Sequence, residues 1–178
     1  MANPILNQLA LVTATTAIAI SLLPSASVQA RDDFQFICTL GYDKVAQKKF
    51  PTTYLWSQGK KRAIIRWTKT FGAMTPQERC NQVSPRLQEA HNNGSLNIIT
   101  NGKMNNQPVI CTTRAYEGAC DTLLLTLRPT DNSIQALNEL KDALSGRGIG
   151  PMPQSGGGTP QIYYQIDLNE AIRNAPVE

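Results

Sequence analysis

Thr75-Pro76-Gln77-Glu78-Arg79-Cys80-Asn81-Gln82-Val83-Ser84-Pro85-Arg86-Leu87-Gln88-Glu89-Ala90-His91-Asn92-Asn93-Gly94 carries both the start and the stop of a helix within one stretch. Thr75 supplies a capping hydroxyl, Pro76 fits the first helical position, and Glu78 completes a capping box. Cys80, Val83, Leu87 and Ala90 recur at helical spacing and define a buried stripe, with Arg79, Gln82, Arg86 and Glu89 on the other faces. Asn92-Asn93-Gly94 ends the element, because glycine takes the left-handed backbone that closes a helix. Pro85 falls inside the pattern. It removes one backbone donor and disfavours helical geometry at Ser84, so a kink or a break into two short helices is expected there.

Upstream, Phe34 to Cys38 has the aromatic and β-branched content of a strand, with Gly41 closing it. Pro51 to Ser57 and Arg62 to Thr68 are two further strands, joined by a turn at Gln58-Gly59-Lys60-Lys61. They hold Trp56 and Trp67, which in a strand are expected as half-buried core rather than as ligand-stacking surfaces. Downstream, Leu96 to Thr100, Pro108 to Thr113 and Thr122 to Leu127 read as a meander, the first two joined across Asn101 to Asn106. The run Leu123-Leu124-Leu125-Thr126-Leu127 has no polar alternation, which suits a central strand covered on both faces, with a buried helix segment as the alternative for so short a run. A second helix follows, capped by Asp131 or Ser133, with Ile134, Leu137, Leu140 and Leu144 as its stripe. Three strands, a helix, three strands and a helix favour an α+β fold: a mostly antiparallel sheet of about six strands with two main helices packed on one side.

Residues 1–30 contain no Asp, Glu, Lys or Arg, so all 30 charged residues follow them. Leu9 to Leu23 has the length of a signal-peptide core, shorter than a typical span, and Val28 and Ala30 are small residues placed for cleavage after Ala30. Residues 1–30 are therefore expected to be a signal peptide, and the destination to be periplasm or thylakoid lumen. Residues 31–145 then form one domain, long enough to bury its own core. Residues 146–178 read as a Gly/Pro-rich linker and a tail, in which Gln161 to Ala171 is either an added strand or a partner-binding segment. Cys38, Cys80, Cys111 and Cys120 fit disulfides in an exported chain. Three connectivities are open. The short loop through Glu117-Gly118 favours Cys111 with Cys120, and hence Cys38 with Cys80. Without a Cys-x-x-Cys, and with the lone His91 far from every cysteine, no metal is expected, and no cofactor motif is found.

The catalytic inventory is thin. His91 sits at a helix C-terminus, where the dipole favours a charged ring. No Gly-x-Ser-x-Gly elbow occurs, and Gly146 to Gly150 only superficially resembles a phosphate loop, since it follows a helix. A binding or accessory module is thus favoured over an enzyme. The alternative, a small envelope hydrolase, would recruit a serine such as Ser84 near the kink.

Charge carries more. Lys44, Lys48, Lys49, Lys60, Lys61, Arg62, Arg66 and Lys69 give eight basic residues and no acidic one between 44 and 69; with a net charge of +4 overall, +4 minus +8 leaves −4 elsewhere. A hairpin bearing that stretch suits an anionic membrane surface or an acidic envelope component, while export places the chain away from nucleic acid. The competing role is an edge hairpin whose lysines deter aggregation.

Taken together, Phe36-x-Cys38, Pro51-Thr52-Thr53, Ile65-Arg66-Trp67, Thr75-Pro76-x-x-Arg79-Cys80, Val83-Ser84-x-Arg86-Leu87-Gln88, Pro108-Val109-Ile110-Cys111 and Cys120-x-x-Leu123-Leu124-x-Thr126-Leu127 resemble the circadian oscillating polypeptide family of cyanobacteria. The likeness covers roughly Phe34 to Leu144. It implies an exported protein, peripherally associated with membranes and varying in abundance over the day. It brings no catalytic residues.

Overall fold

The computed structural model describes residues 33–145, 147–149, 160–174 and 177, so the expected signal peptide lies outside the described residues. Helix α1 spans Pro76–Asn92. Its capping box is closed in both directions: Thr75 Oγ1 accepts the Glu78 N–H at 3.2 Å, and Glu78 Oε2 accepts the Thr75 N–H at 2.7 Å. Of the two outcomes expected at Pro85, the break does not occur: α1 continues through it. Pro85 is exposed, so the Asn81 carbonyl that loses its donor faces water. Meanwhile Cys80, Val83, Ser84, Leu87 and Ala90 are buried and hold the helix against the first two strands.

Strands β1 (Gln35–Asp43), β2 (Lys48–Ser57) and β3 (Lys60–Arg66) form one antiparallel sheet in the order β1-β2-β3. The β2 to β3 turn is Gln58-Gly59, both at positive φ (51° and 73°), the geometry of a tight hairpin. Gly41 does not close β1. It stays in the ladder opposite Phe50 because it lacks a Cβ, which would stand 2.0 Å from Tyr54 Oη.

A second antiparallel sheet has the order β6-β5-β4-β8-β7. It contains β4 (Ile98–Met104), β5 (Gln107–Thr112), β6 (Leu123–Thr126), β7 (Arg147–Ile149) and β8 (Tyr163–Gln165), with α2 (Ser133–Ala143) and α3 (Leu168–Asn174). The fold is α+β as expected, but with two sheets in place of one. The chain leaves β3, passes through α1 and starts a new sheet at β4. Both α1 and α2 then contact strands of both sheets. One apolar cluster results, running from Phe34, Leu55 and Leu87 through Ile99, Ile110 and Leu137 to Ile166 and Ala171.

Four further expectations shift. β4 continues through Gly102 to a two-residue turn at Asn105-Asn106, both at positive φ, rather than ending at Thr100. β6 is an edge strand and not a central one; Leu124 and Leu125 are nevertheless buried, with α1 packed against the strand. α2 is capped by Asn132, whose Oδ1 accepts the Ile134 and Gln135 N–H groups at 3.0 Å. Asp131 instead binds Arg128. The domain also extends past residue 145. Tyr163 to Gln165 pair with Thr100 to Ile98, and Ile166 and Ala171 are buried in the core, so the tail supplies an added strand and a helix. Arg147 to Ile149, expected within the linker, pair with β8; residues 150–159 lie outside the described residues.

Candidate anionic-surface interface

Asp43 organises the turn between β1 and β2. Its Oδ1 accepts the N–H groups of Val45 (2.9 Å) and Ala46 (2.7 Å), as short acidic side chains do in turns, and its Oδ2 lies 3.2 Å from Arg66 Nε. The residue that shapes the turn therefore also neutralises one of the eight cations.

The structure does not gather those eight residues into one patch. Lys44, Lys48 and Lys49 are exposed at the β1–β2 turn, while Lys60 and Lys61 are exposed at the β2–β3 turn. These are opposite ends of β2, a strand of 10 residues. At about 3.3 Å per residue they stand roughly 30 Å apart. That is several times the Debye length of about 8 Å in physiological salt, so the two ends act independently. Lys69 is exposed on the loop after β3. Arg66 faces Asp43. Arg62 is 5% exposed and points inward, because the register puts it beside Leu55 and Phe36, both core residues. Its Nε and Nη1 have no hydrogen-bond partner among the described residues.

Apolar companions single out the β1–β2 end. Of six exposed large hydrophobic residues among those described, three are here: Leu40 (59%), Tyr42 (51%) and Val45 (96%). Phe36, Cys38, Leu40 and Tyr42 share one face of β1 by strand alternation. α1 covers the first two, its N-terminal turn being tied to β1 by the Cys38–Cys80 disulfide and the Gln77 Nε2 to Cys38 Sγ contact at 3.3 Å. The β1–β2 ribbon runs on past that end of the helix, which leaves Leu40 and Tyr42 uncovered. None of these apolar residues, nor Asp43, was marked out by sequence, since exposure here depends on where α1 begins relative to β1.

The cysteines pair as Cys38–Cys80 and Cys111–Cys120, closing loops of 42 and 9 residues. On the chain-entropy account these stabilise the domain by about 4 and about 2.6 kcal/mol. Arg79, placed by sequence on an outer helix face, lies 4.6 Å from the Trp67 ring centre and 5.4 Å from that of Phe71 and donates to the Lys69 carbonyl at 3.3 Å. Burial lowers its pKa, with Asp131 opposing and Arg128 adding to the shift. Arg79 thus pins the loop bearing Lys69. Ser84 is 1% exposed and bonded at 2.9 Å to Thr53 Oγ1, which also accepts from Trp67 Nε1 at 3.0 Å. This is core polar pairing and leaves the serine inaccessible. His91 stands in the last turn of α1, its ring centre 5.5 Å from that of Phe34. Among the described residues, no group of three or more His, Cys, Asp or Glu side chains is placed to hold a metal, and no helix is long and apolar enough to cross a membrane.

These features define a small disulfide-bonded α+β protein with a projecting basic and apolar hairpin end. The chain belongs to the circadian oscillating protein COP23 family, whose model matches residues 35–173. The match runs past Leu144, where the resemblance read from the motifs ended, and takes in β8 and most of α3. No curated protein and no solved structure matches the chain.

Proposed function

We propose that this protein is an exported, non-enzymatic binding or accessory module that docks reversibly on an anionic membrane surface through its β1–β2 end. One observation carries the reading: Lys44, Lys48 and Lys49 share a projecting turn with the uncovered side chains of Leu40, Tyr42 and Val45. Cations near an anionic bilayer contribute about 1 kcal/mol each, and apolar side chains entering the interface add to that. Three lysines supply roughly 3 kcal/mol, enough for reversible attachment but short of a permanent anchor. The β2–β3 end, with Lys60 and Lys61, stands at the far end of the 10-residue β2 and is left for another role. The hydrolase reading loses its candidate nucleophile, because Ser84 is buried against Thr53.

Sedimentation of the purified chain with phosphatidylglycerol vesicles, and with phosphatidylcholine vesicles as the neutral control, tests the proposal. Binding is expected on the anionic vesicles alone, falling as salt rises, and Val45→Ser is expected to weaken it further. Equal binding to both lipids, or none to either at low salt, would remove membrane docking.

A further inference from the structure

The opposite end of the same sheet carries a second, chemically different surface. Trp56 is 39% exposed, whereas the core tryptophan Trp67 is 4% exposed with its indole N–H bonded to Thr53. Both were expected as half-buried core; Trp67 is fully buried, while Trp56 keeps part of its ring open on the sheet face. The register sets Gln35, Trp56 and Lys61 side by side across β1, β2 and β3, on the face turned away from α1. Next to them lies a cavity of about 320 Å³ lined by Asp33, Gln35, Trp56, Ser57, Gln58 and Gly59. The side chains of Asp33, Gln35, Gln58 and Trp56 make no hydrogen bond or ion pair with any other described residue. An aromatic plane, two amides and a carboxylate are therefore unpaired among the described residues, with the exposed Lys61 beside them.

We infer that this end binds a hexopyranose unit of an acidic glycan. A pyranose ring presents a face of C–H groups that packs on an indole, and hydroxyls around its edge that pair with amides and carboxylates. Trp56 supplies the first surface, and Gln35, Gln58 and Asp33 supply the second. Lys61, exposed and directly opposite Trp56 across the strand pair, is placed for the carboxylate of a uronic acid, which prefers a cation in register. The volume is at the low end of the range of about 300–1,000 Å³ for small-ligand sites, suited to one or two sugar rings. The open sheet face lets a longer chain continue beyond it. The inference is independent of membrane docking, since the two ends lie roughly 30 Å apart along β2.

Titration calorimetry and tryptophan fluorescence with hexagalacturonate on the full chain, with cellohexaose as neutral comparison, decide it. Hexagalacturonate is expected to bind and shift the emission, Trp56→Ala to raise Kd at least tenfold, and Lys61→Gln to raise it several-fold. Cellohexaose is expected to bind more weakly. Thermal melting of each variant, with Gln35→Ala and Gln58→Ala as milder changes, separates loss of binding from loss of fold. Absence of hexagalacturonate binding, binding unchanged by Trp56→Ala, or cellohexaose binding as tightly as the uronate would each overturn the assignment.

Discussion

Adding one methyl group at Gly41 is expected to loosen the β1–β2 arm. A Cβ at this position would stand 2.0 Å from Tyr54 Oη, 2.9 Å from Thr52 Oγ1 and 3.0 Å from Tyr54 Cζ. Tyr54 is 3% exposed and Thr52 fully buried, so neither has open space to move into. With both neighbours buried the cost falls in the upper part of the usual overpacking range, about 2–3 kcal/mol, and the better strand propensity of alanine returns about 1 of that. Gly41→Ala is therefore expected to destabilise the domain by about 1–2 kcal/mol, a fall in Tm of roughly 2–8 °C for a domain of this size. Tyr54→Phe removes the nearest clashing atom, together with whatever the hydroxyl itself contributes. The two changes should consequently couple: in urea unfolding, the double variant should be more stable than the sum of the single losses by about 0.5–1.5 kcal/mol. A neutral Gly41→Ala, or strict additivity with Tyr54→Phe, would mean that β1 does not continue through Gly41 beneath Tyr54. The projecting arm would then be misplaced as well.

Arg62→Met is expected to leave stability unchanged or raise it by up to about 2 kcal/mol in urea unfolding, because a buried guanidinium whose Nε and Nη1 find no partner among the described residues is replaced by an apolar chain of similar length. A clear loss would show that the guanidinium is well paired. In the capping box, Thr75 holds Glu78 below the ordinary glutamate value of 4.5, through its backbone N–H first and its hydroxyl second. A depressed carboxylate contributes stability that is present above the unfolded pKa and lost as pH falls through the folded one. Glu78→Gln should therefore flatten the acid limb of a Tm against pH series below about pH 4.5; an unchanged limb would contradict the capping role.

The helix at residues 76–92 was legible because its capping box, apolar stripe and stop signal lie within one local stretch, and the same locality exposed the Gln58-Gly59 turn. What sequence left hidden depends on distant contacts. Pro85 looks like a break until the Cys38–Cys80 bridge and the buried stripe are seen holding the helix to β1 and β2. The alternation of Ile162, Tyr164 and Ile166 marked the tail as an added strand or a partner-binding segment, but which of the two, and against which strand, is set by an open edge on β4. Lys60, Lys61 and Arg62 form one charge run on paper, yet strand alternation turns Arg62 inward and leaves Lys61 on the opposite face. The eight cations likewise read as a single patch because they follow one another along the chain, whereas the extended strand between them, running from Lys48 to Ser57, separates them into two ends.

A paired comparison on phosphatidylglycerol vesicles at low salt tests the central claim most directly: Lys44→Gln, Lys48→Gln and Lys49→Gln together against Lys60→Gln and Lys61→Gln together. At about 1 kcal/mol per cation the triple variant should lose roughly 100-fold in vesicle affinity, while the double variant, changed at the far end of β2, should bind nearly as the parent does. Equal losses per lysine removed at the two ends, or a larger loss in the double variant, would contradict docking through the β1–β2 end.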